Sequence, residues 1–147
     1  KARGASVAQL AGECVARQRD IIKAINPEAE IFVWSDMFDP HHNAPGSYNK
    51  GKYFYHVDGT FEGSWNYLPK DVIPVCWYSE VCDKSLAHFS GQGFRTLGSS
   101  SGNLETARKW LKSLDATPNA MGIMYTTWNE NFDILSQFGD LVNRKIK

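Results

Sequence analysis

Three short stretches bring tryptophan together with acids, amides and hydroxyls: Trp34-Ser35-Asp36-Met37-Phe38-Asp39, Trp77-Tyr78-Ser79-Glu80 and Tyr125-Thr126-Thr127-Trp128-Asn129-Glu130. Indole and phenol faces pack on the apolar C–H faces of a sugar ring, while carboxylates and amides accept hydrogen bonds from its hydroxyls. These residue types in this grouping therefore suit a saccharide, with Trp34, Asp36, Trp65, Trp77, Tyr125, Trp128 and Glu130 as the binding candidates. The competing use of the same tryptophans is core packing.

Hydrolysis of a glycoside would need more, since two carboxyl groups must face one another ~5 to ~9 Å apart across the scissile bond. Asp36 and Asp39 are the catalytic candidates, with Glu130 as a possible partner; sugar binding and loop ordering are the competing roles. Asp36, Asp39, His41 and His42 form the densest metal-like cluster. Adjacent histidines behind Pro40 diverge, so turn capping by Asp39 and hydrogen bonding by His41 are the expected roles, and no metal or cofactor is implied. Cys82 falls near a helix start and is expected to be a packed thiol, without a placed His or Cys partner. His56 and His88 read as loop and helix-surface residues. Ser99 to Gly102 reads as a helix-capping turn, with anion binding as the alternative.

Positioning these groups requires regular elements. Val7, Leu10, Cys14, Ile21, Ile22 and Ile25 recur near helical spacing over Ser6 to Ile25, and Asn26-Pro27 ends the pattern. Glu30 to Ser35 is a continuous apolar and β-branched run, as in a strand buried on both faces. A long polar connection from Asp36 to about Lys70 follows, with room for a short extra strand over Tyr53 to Val57. Val72 to Tyr78 predicts the second strand, with Pro74 awkwardly inside it. Asp83 to Gln92 predicts a helix, and Phe94 to Gly98 the third strand. Leu104, Ala107, Leu111 and Leu114 mark the next helix, Met121 to Thr126 the fourth strand, and Leu135, Phe138, Val142 and Ile146 a last helix.

The alternation of strand and helix predicts an α/β fold with a parallel sheet and right-handed crossovers, in which ligands bind beyond the carboxyl ends of the strands. The three tryptophan stretches fall at those ends. No Gly-rich phosphate fingerprint follows a strand, which argues against a nucleotide site. A complete (β/α)8 barrel takes ~250 residues. The 147 residues hold four units and read as one domain, 1–147, a TIM-barrel-like (β/α)4 half barrel with an extra N-terminal helix.

In order and type, the three stretches resemble the C-terminal half of the family 20 glycoside hydrolases, the β-N-acetylhexosaminidases, and barrel proteins related to them. Trp34-Ser35-Asp36 is similar to that family's Trp-Asp-Glu, Trp77 to its single tryptophan on the next strand, and Trp128-Asn129-Glu130 to its Trp-Thr-Glu on the last. The resemblance implies that Trp34, Trp77 and Trp128 wall a sugar pocket and that Glu130 binds ring hydroxyls. It also implies a catalytic Asp-Glu pair on an earlier strand. No Asp-Glu dipeptide occurs anywhere in this chain. The resemblance thus implies a glycoside-hydrolase-like, carbohydrate-binding half barrel without a complete acid pair; an active hydrolase subunit or fragment, and an interaction protein on the same scaffold, are the alternatives.

The charge balance limits the partners. Lys and Arg equal Asp and Glu in number, for a formal net charge of zero, so neither nucleic acid nor an acidic membrane surface is expected. No leader or membrane segment is expected either. Three cysteines, an odd number, favour reduced thiols and a cytoplasmic setting. Half a barrel would expose two strand edges, so a homodimer or a complementary half barrel is expected, closing eight strands about a twofold axis.

Overall fold

A computed structural model describes residues 4–46, 59–128 and 130–143. The expected strand over Tyr53 to Val57, together with His56, Asn129 and Ile146, lies outside the described residues. Among the described residues the elements run α1 (Val7–Ile25), β1 (Ile31–Trp34), β2 (Val72–Cys76), α2 (Cys82–Gly91), β3 (Thr96–Ser100), α3 (Leu104–Asp115), β4 (Ala120–Tyr125) and α4 (Leu135–Asn143), and the strands form a sheet in the order β1-β2-β3-β4. Between β1 and β2 the described residues hold 3-10 turns and no α-helix, so the expected strand-then-helix succession is seen only from β2 onward. The α/β class is as expected. The chain falls into two compact units, Lys1–Pro74 and Val75–Lys147, with the β2 strand running through the junction.

In the first unit, α1 spans Val7–Ile25. Ser6 caps it, its hydroxyl accepting from the Gln9 N–H at 3.1 Å, and Asn26 closes it by donating its N–H to the Ile22 carbonyl at 2.8 Å. Ala8 and Gly12 are the buried residues of α1. That side meets a 3-10 turn, Ser64–Tyr67, so closely that a Cβ on Gly12 would lie 2.7 Å from the Tyr67 carbonyl oxygen. Only a glycine admits this approach. The Arg19 Nε donates to both Asp71 carboxylate oxygens, at 3.1 and 2.9 Å, and holds that carboxyl below its ordinary range. At the surface such a pair fixes geometry more than it stabilises. The strand β1, Ile31–Trp34, alternates half-buried Ile31 and Val33 with exposed Phe32 and Trp34.

The second unit is built on parallel strands. β2 (Val72–Cys76) pairs with β3 (Thr96–Ser100) through Val75 and Cys76, which is how it accommodates Pro74: the donor that proline lacks is not among these paired positions. β3 pairs with β4 (Ala120–Tyr125) up to Ser100 and Tyr125. Thr96 faces Ala120 but Leu97 faces Gly122, so Met121 is an extra residue and bulges from the edge. The helices α2 (Cys82–Gly91), α3 (Leu104–Asp115) and α4 (Leu135–Asn143) accompany these strands.

β3 lies two residues further along than Phe94 to Gly98, the span its sequence predicts. The cause is the end of α2. Gly93, at φ 84°, donates to the Ser90 carbonyl, and Phe94 donates to the Phe89 carbonyl, which together make a Schellman cap. The Phe89 and Phe94 rings meet edge to face at 5.8 Å, as this cap favours. Phe94 thus belongs to the helix end. Ser99 and Ser100, expected in a turn, belong to the strand, and the turn before α3 begins after them, with Asn103 as the cap: its side chain accepts from the Thr106 N–H at 2.8 Å.

Gly98 explains how α3 covers β3. Trp110 is fully buried, and a Cβ on Gly98 would come within 2.9 Å of its ring and 3.1 Å of Leu114. The core of this unit is Val75, Leu86, Phe89, Phe94, Ala107 and Trp110 with their neighbours.

Candidate functional site

The structure divides the expected rim between the two units. Trp34, Asp36 and Trp65 belong to the first unit, and Trp77, Tyr125, Trp128 and Glu130 to the second.

In the first unit, Trp34 ends β1 with its ring partly exposed, and Asp36 opens a 3-10 turn, Asp36–Phe38. Ser64 anchors the turn that carries Trp65: its hydroxyl donates to the Met37 carbonyl at 2.6 Å. Asp39 is buried, and its carboxylate accepts from the His41 N–H at 2.8 Å, which is the turn capping its sequence context suggests. His41 is exposed while His42 is buried, so the two rings occupy different environments. Among the described residues no group of three His, Cys, Asp or Glu side chains is gathered as a metal site.

Burial pushes the His42 imidazole below its ordinary 6.5, against the pull of the Asp36 and Asp39 carboxylates. Between that depressed value and 6.5 the unfolded chain binds a proton that the folded chain does not. Stability is therefore fully present above about 6.5 and declines as pH falls through the window. Denaturant midpoints measured from neutral pH downward should show this decline, and His42→Gln should flatten it; equal slopes in both proteins would refute the assignment.

In the second unit, Trp77 follows directly on β2 and Trp128 lies beyond β4. Their ring centroids are 6.4 Å apart with planes inclined at 54°. Trp77 is half-buried, whereas Trp128 is 74% exposed. The wall thus has a fixed inner ring and an open outer one.

The chain that carries Trp128 is tied down on both sides. Thr126 donates its N–H to the Ser100 carbonyl at 2.9 Å, and its hydroxyl lies 3.0 Å from that of Ser99. The Tyr125 hydroxyl donates to the Asn131 carbonyl at 2.9 Å, and the Asn131 N–H donates to the Thr127 hydroxyl at 2.8 Å. Asn131 then accepts from the Asp133 N–H at 3.0 Å. Glu130, exposed within this loop, takes a left-handed φ of 53°, a conformation that costs free energy in a residue with a Cβ and that these bonds sustain. An exposed ring on a loop held this way loses little freedom when something covers it.

Beside Trp128 is a hollow of about 130 Å³ lined by Ser101, Gly102, Tyr125, Thr126, Thr127, Trp128 and Asn131. Its lining is hydroxyls and an amide next to aromatic faces. Its size is well below the ~300 Å³ at which drug-sized pockets begin, and suits one ring rather than a chain of them. A larger hollow of about 530 Å³ is bounded by Ser79, Glu80, Glu105, Thr106, Arg108, Lys109 and Lys112. It has charges of both signs and no aromatic wall.

Sequence reasoning identified Trp77, Tyr125 and Trp128 as binding candidates, placed Thr126 and Thr127 in the same stretch and Ser99 and Ser101 in a capping turn without giving them that role, and missed Asn131. A signal existed in the run of Ser, Thr and Asn at two neighbouring strand ends; only the β3–β4 register shows that they converge. The other cysteine and histidine readings sit away from this rim. Cys82 is buried with its sulfur 3.3 Å from the Ser113 hydroxyl, and none of Cys14, Cys76 and Cys82 is in a disulfide. His88 is half-buried on α2, 3.1 Å from the Gln92 side chain. No helix of the described residues is long and apolar enough to cross a membrane.

No protein-family model matches this chain, and no curated protein matches it.

Proposed function

We propose that this protein is a β-N-acetylhexosaminidase-like (β/α)4 half barrel that binds a saccharide at the carboxyl ends of β2 and β4, and that it works as a homodimer. The observation that carries the binding claim is Trp128, which lines the hydroxyl-bearing hollow and whose ring meets that of Trp77. A single pyranose ring would lay its C–H face on Trp128, and its hydroxyls would exchange hydrogen bonds with Thr127, Asn131 and Ser101. Glu130 would accept from a further ring hydroxyl at the open side.

The reading is one of binding rather than hydrolysis. Among the described carboxylates, Asp39 is committed to its own turn and Glu130 is an exposed group on a loop. The chain lacks the Asp-Glu dipeptide that the resemblance would require of a catalytic acid.

Calorimetric titration with N-acetylglucosamine and its short oligomers tests this reading. The expected result is saturable heat with the monosaccharide and little gain from longer chains, because the hollow holds one ring. Absence of heat with every sugar would leave an interaction protein as the better reading. Cleavage of a chromogenic hexosaminide, lost in Asp36→Asn, would instead make the chain a hydrolase.

A further inference from the structure

Trp77 belongs to a run of three rings rather than a pair. It meets Trp128 at 6.4 Å with the planes inclined at 54°, and Tyr78 at 6.3 Å with the planes inclined at 66°. Neither contact lays one ring flat on the next. Trp128, at the end of the run, is 74% exposed and so is open to a ligand. The face of an indole is electron-rich and attracts a cation held within about 6 Å of its centroid. Two centroids 6.4 Å apart can both meet that limit for a single ammonium group.

The charges beside these rings are mostly of one sign. From each strand end to the first turn of the next helix, the second unit carries Glu80, Asp83 and Lys84 after β2, Glu105 after β3, and Glu130 and Asp133 after β4. No ion pair joins any of these carboxylates to a described cation. Asp83 and Glu105 occupy first turns, where an α-helix favours an acid in any case. Glu80 and Glu130 belong to no α-helix. Each lies two residues beyond a ring, Glu80 after Tyr78 and Glu130 after Trp128, a span of at most about 7 Å along the chain. The cations of α3, Arg108, Lys109 and Lys112, follow Glu105 by about 4.5 to about 10.5 Å along the helix axis, away from the strand ends.

An ammonium group alone would make no use of the neighbouring hollow. Ser101, Thr127 and Asn131 there suit hydroxyl groups on the same ligand. The chemistry that uses both the rings and the hollow is a hexosamine whose amine is free and charged.

We propose that the ligand of this rim is a sugar bearing a free ammonium group, held against Trp128 and Trp77 with Glu80 and Glu130 as its counter-charges. The proposal rests on the saccharide reading above and names the class of sugar, one with no acyl group on its nitrogen.

Glucose, glucosamine and N-acetylglucosamine differ only at the second carbon, so calorimetric titration with all three, at mildly acidic pH where the amine carries its proton, isolates the amine. Glucosamine should bind about fivefold more tightly than glucose. Tetramethylammonium chloride, but not potassium chloride at the same concentration, should shift the Trp77 and Trp128 indole signals in a nuclear magnetic resonance titration. Trp128→Leu, a change at an exposed ring, should remove the preference for glucosamine and the Trp77 shift. Glu80→Gln combined with Glu130→Gln should bring glucosamine level with glucose. Glucosamine binding no more tightly than glucose, with both sugars saturating, would overturn the ammonium contact and leave the saccharide reading intact. Indole shifts with tetramethylammonium but no heat with any of the three sugars would overturn the saccharide reading and this proposal with it. A preference for glucosamine that survives in Trp128→Leu would overturn the aromatic contact.

Discussion

Trp128→Ala should weaken binding of N-acetylglucosamine about tenfold and leave the unfolding midpoint unchanged. The two halves of this expectation have different causes. An aromatic face in contact with an apolar partner contributes about 0.5 to 1.5 kcal/mol beyond the area it buries, and 1.4 kcal/mol is a factor of ten in affinity. Trp128 is 74% exposed, so in the free protein its ring contributes little to folding beyond its contact with Trp77. Its loop is held instead by Tyr125, Thr126, Thr127 and Asn131, none of which the substitution touches. A loss of stability of more than about 1 kcal/mol would place Trp128 in the core rather than at a binding surface. Unchanged affinity together with unchanged stability would remove it from the sugar contact.

Trp110→Ala should have the opposite signature, a loss of about 3 to 5 kcal/mol in stability, because it empties the largest fully buried side chain of the second unit. The site cannot collapse easily. Gly98 already brings the β3 backbone against the ring, and Leu114 occupies the adjoining space. Part of the cost is offset, since the indole N–H has no hydrogen-bond partner among the described residues and its removal relieves a buried, unsatisfied donor. Trp110→Phe keeps most of the volume and also deletes that donor, so it should cost no more than about 1.5 kcal/mol. Equal destabilisation by Ala and Phe, measured by chemical denaturation, would mean that the N–H is satisfied after all and that cavity size is not the controlling quantity.

The succession of elements was largely legible: Leu104, Ala107, Leu111 and Leu114 repeat at helical spacing, and MGIMY is a short apolar run of strand length that follows the Pro118-Asn119 break. Element ends were less legible, and for a physical reason. Phe94 reads as a strand residue on composition, yet the cap of α2 claims it. Ser99-Ser100 reads as a turn, yet both residues continue β3, paired with Met124 and Tyr125 of β4. Both misreadings come from a neighbour that the local sequence does not contain. The site shows the same division. Trp77 and Trp128 were visible because tryptophan at a strand end is conspicuous, whereas Ser99 and Thr126, or Tyr125 and Asn131, become partners only once register and loop path are fixed. The polar clamp that holds the outer ring in place was therefore the part hidden from sequence reasoning.

The most direct test of saccharide binding is a nuclear magnetic resonance titration of the ¹⁵N-labelled protein with N-acetylglucosamine, following the tryptophan indole N–H signals together with the backbone amides. The expected result is saturable shifts at the Trp77 and Trp128 indoles and at the amides of Ser101, Gly102, Thr127 and Asn131, with the Trp110 indole unmoved in its core. Shifts absent from all of these positions at saturating sugar, or confined to residues away from the ends of β2 and β4, would contradict the account.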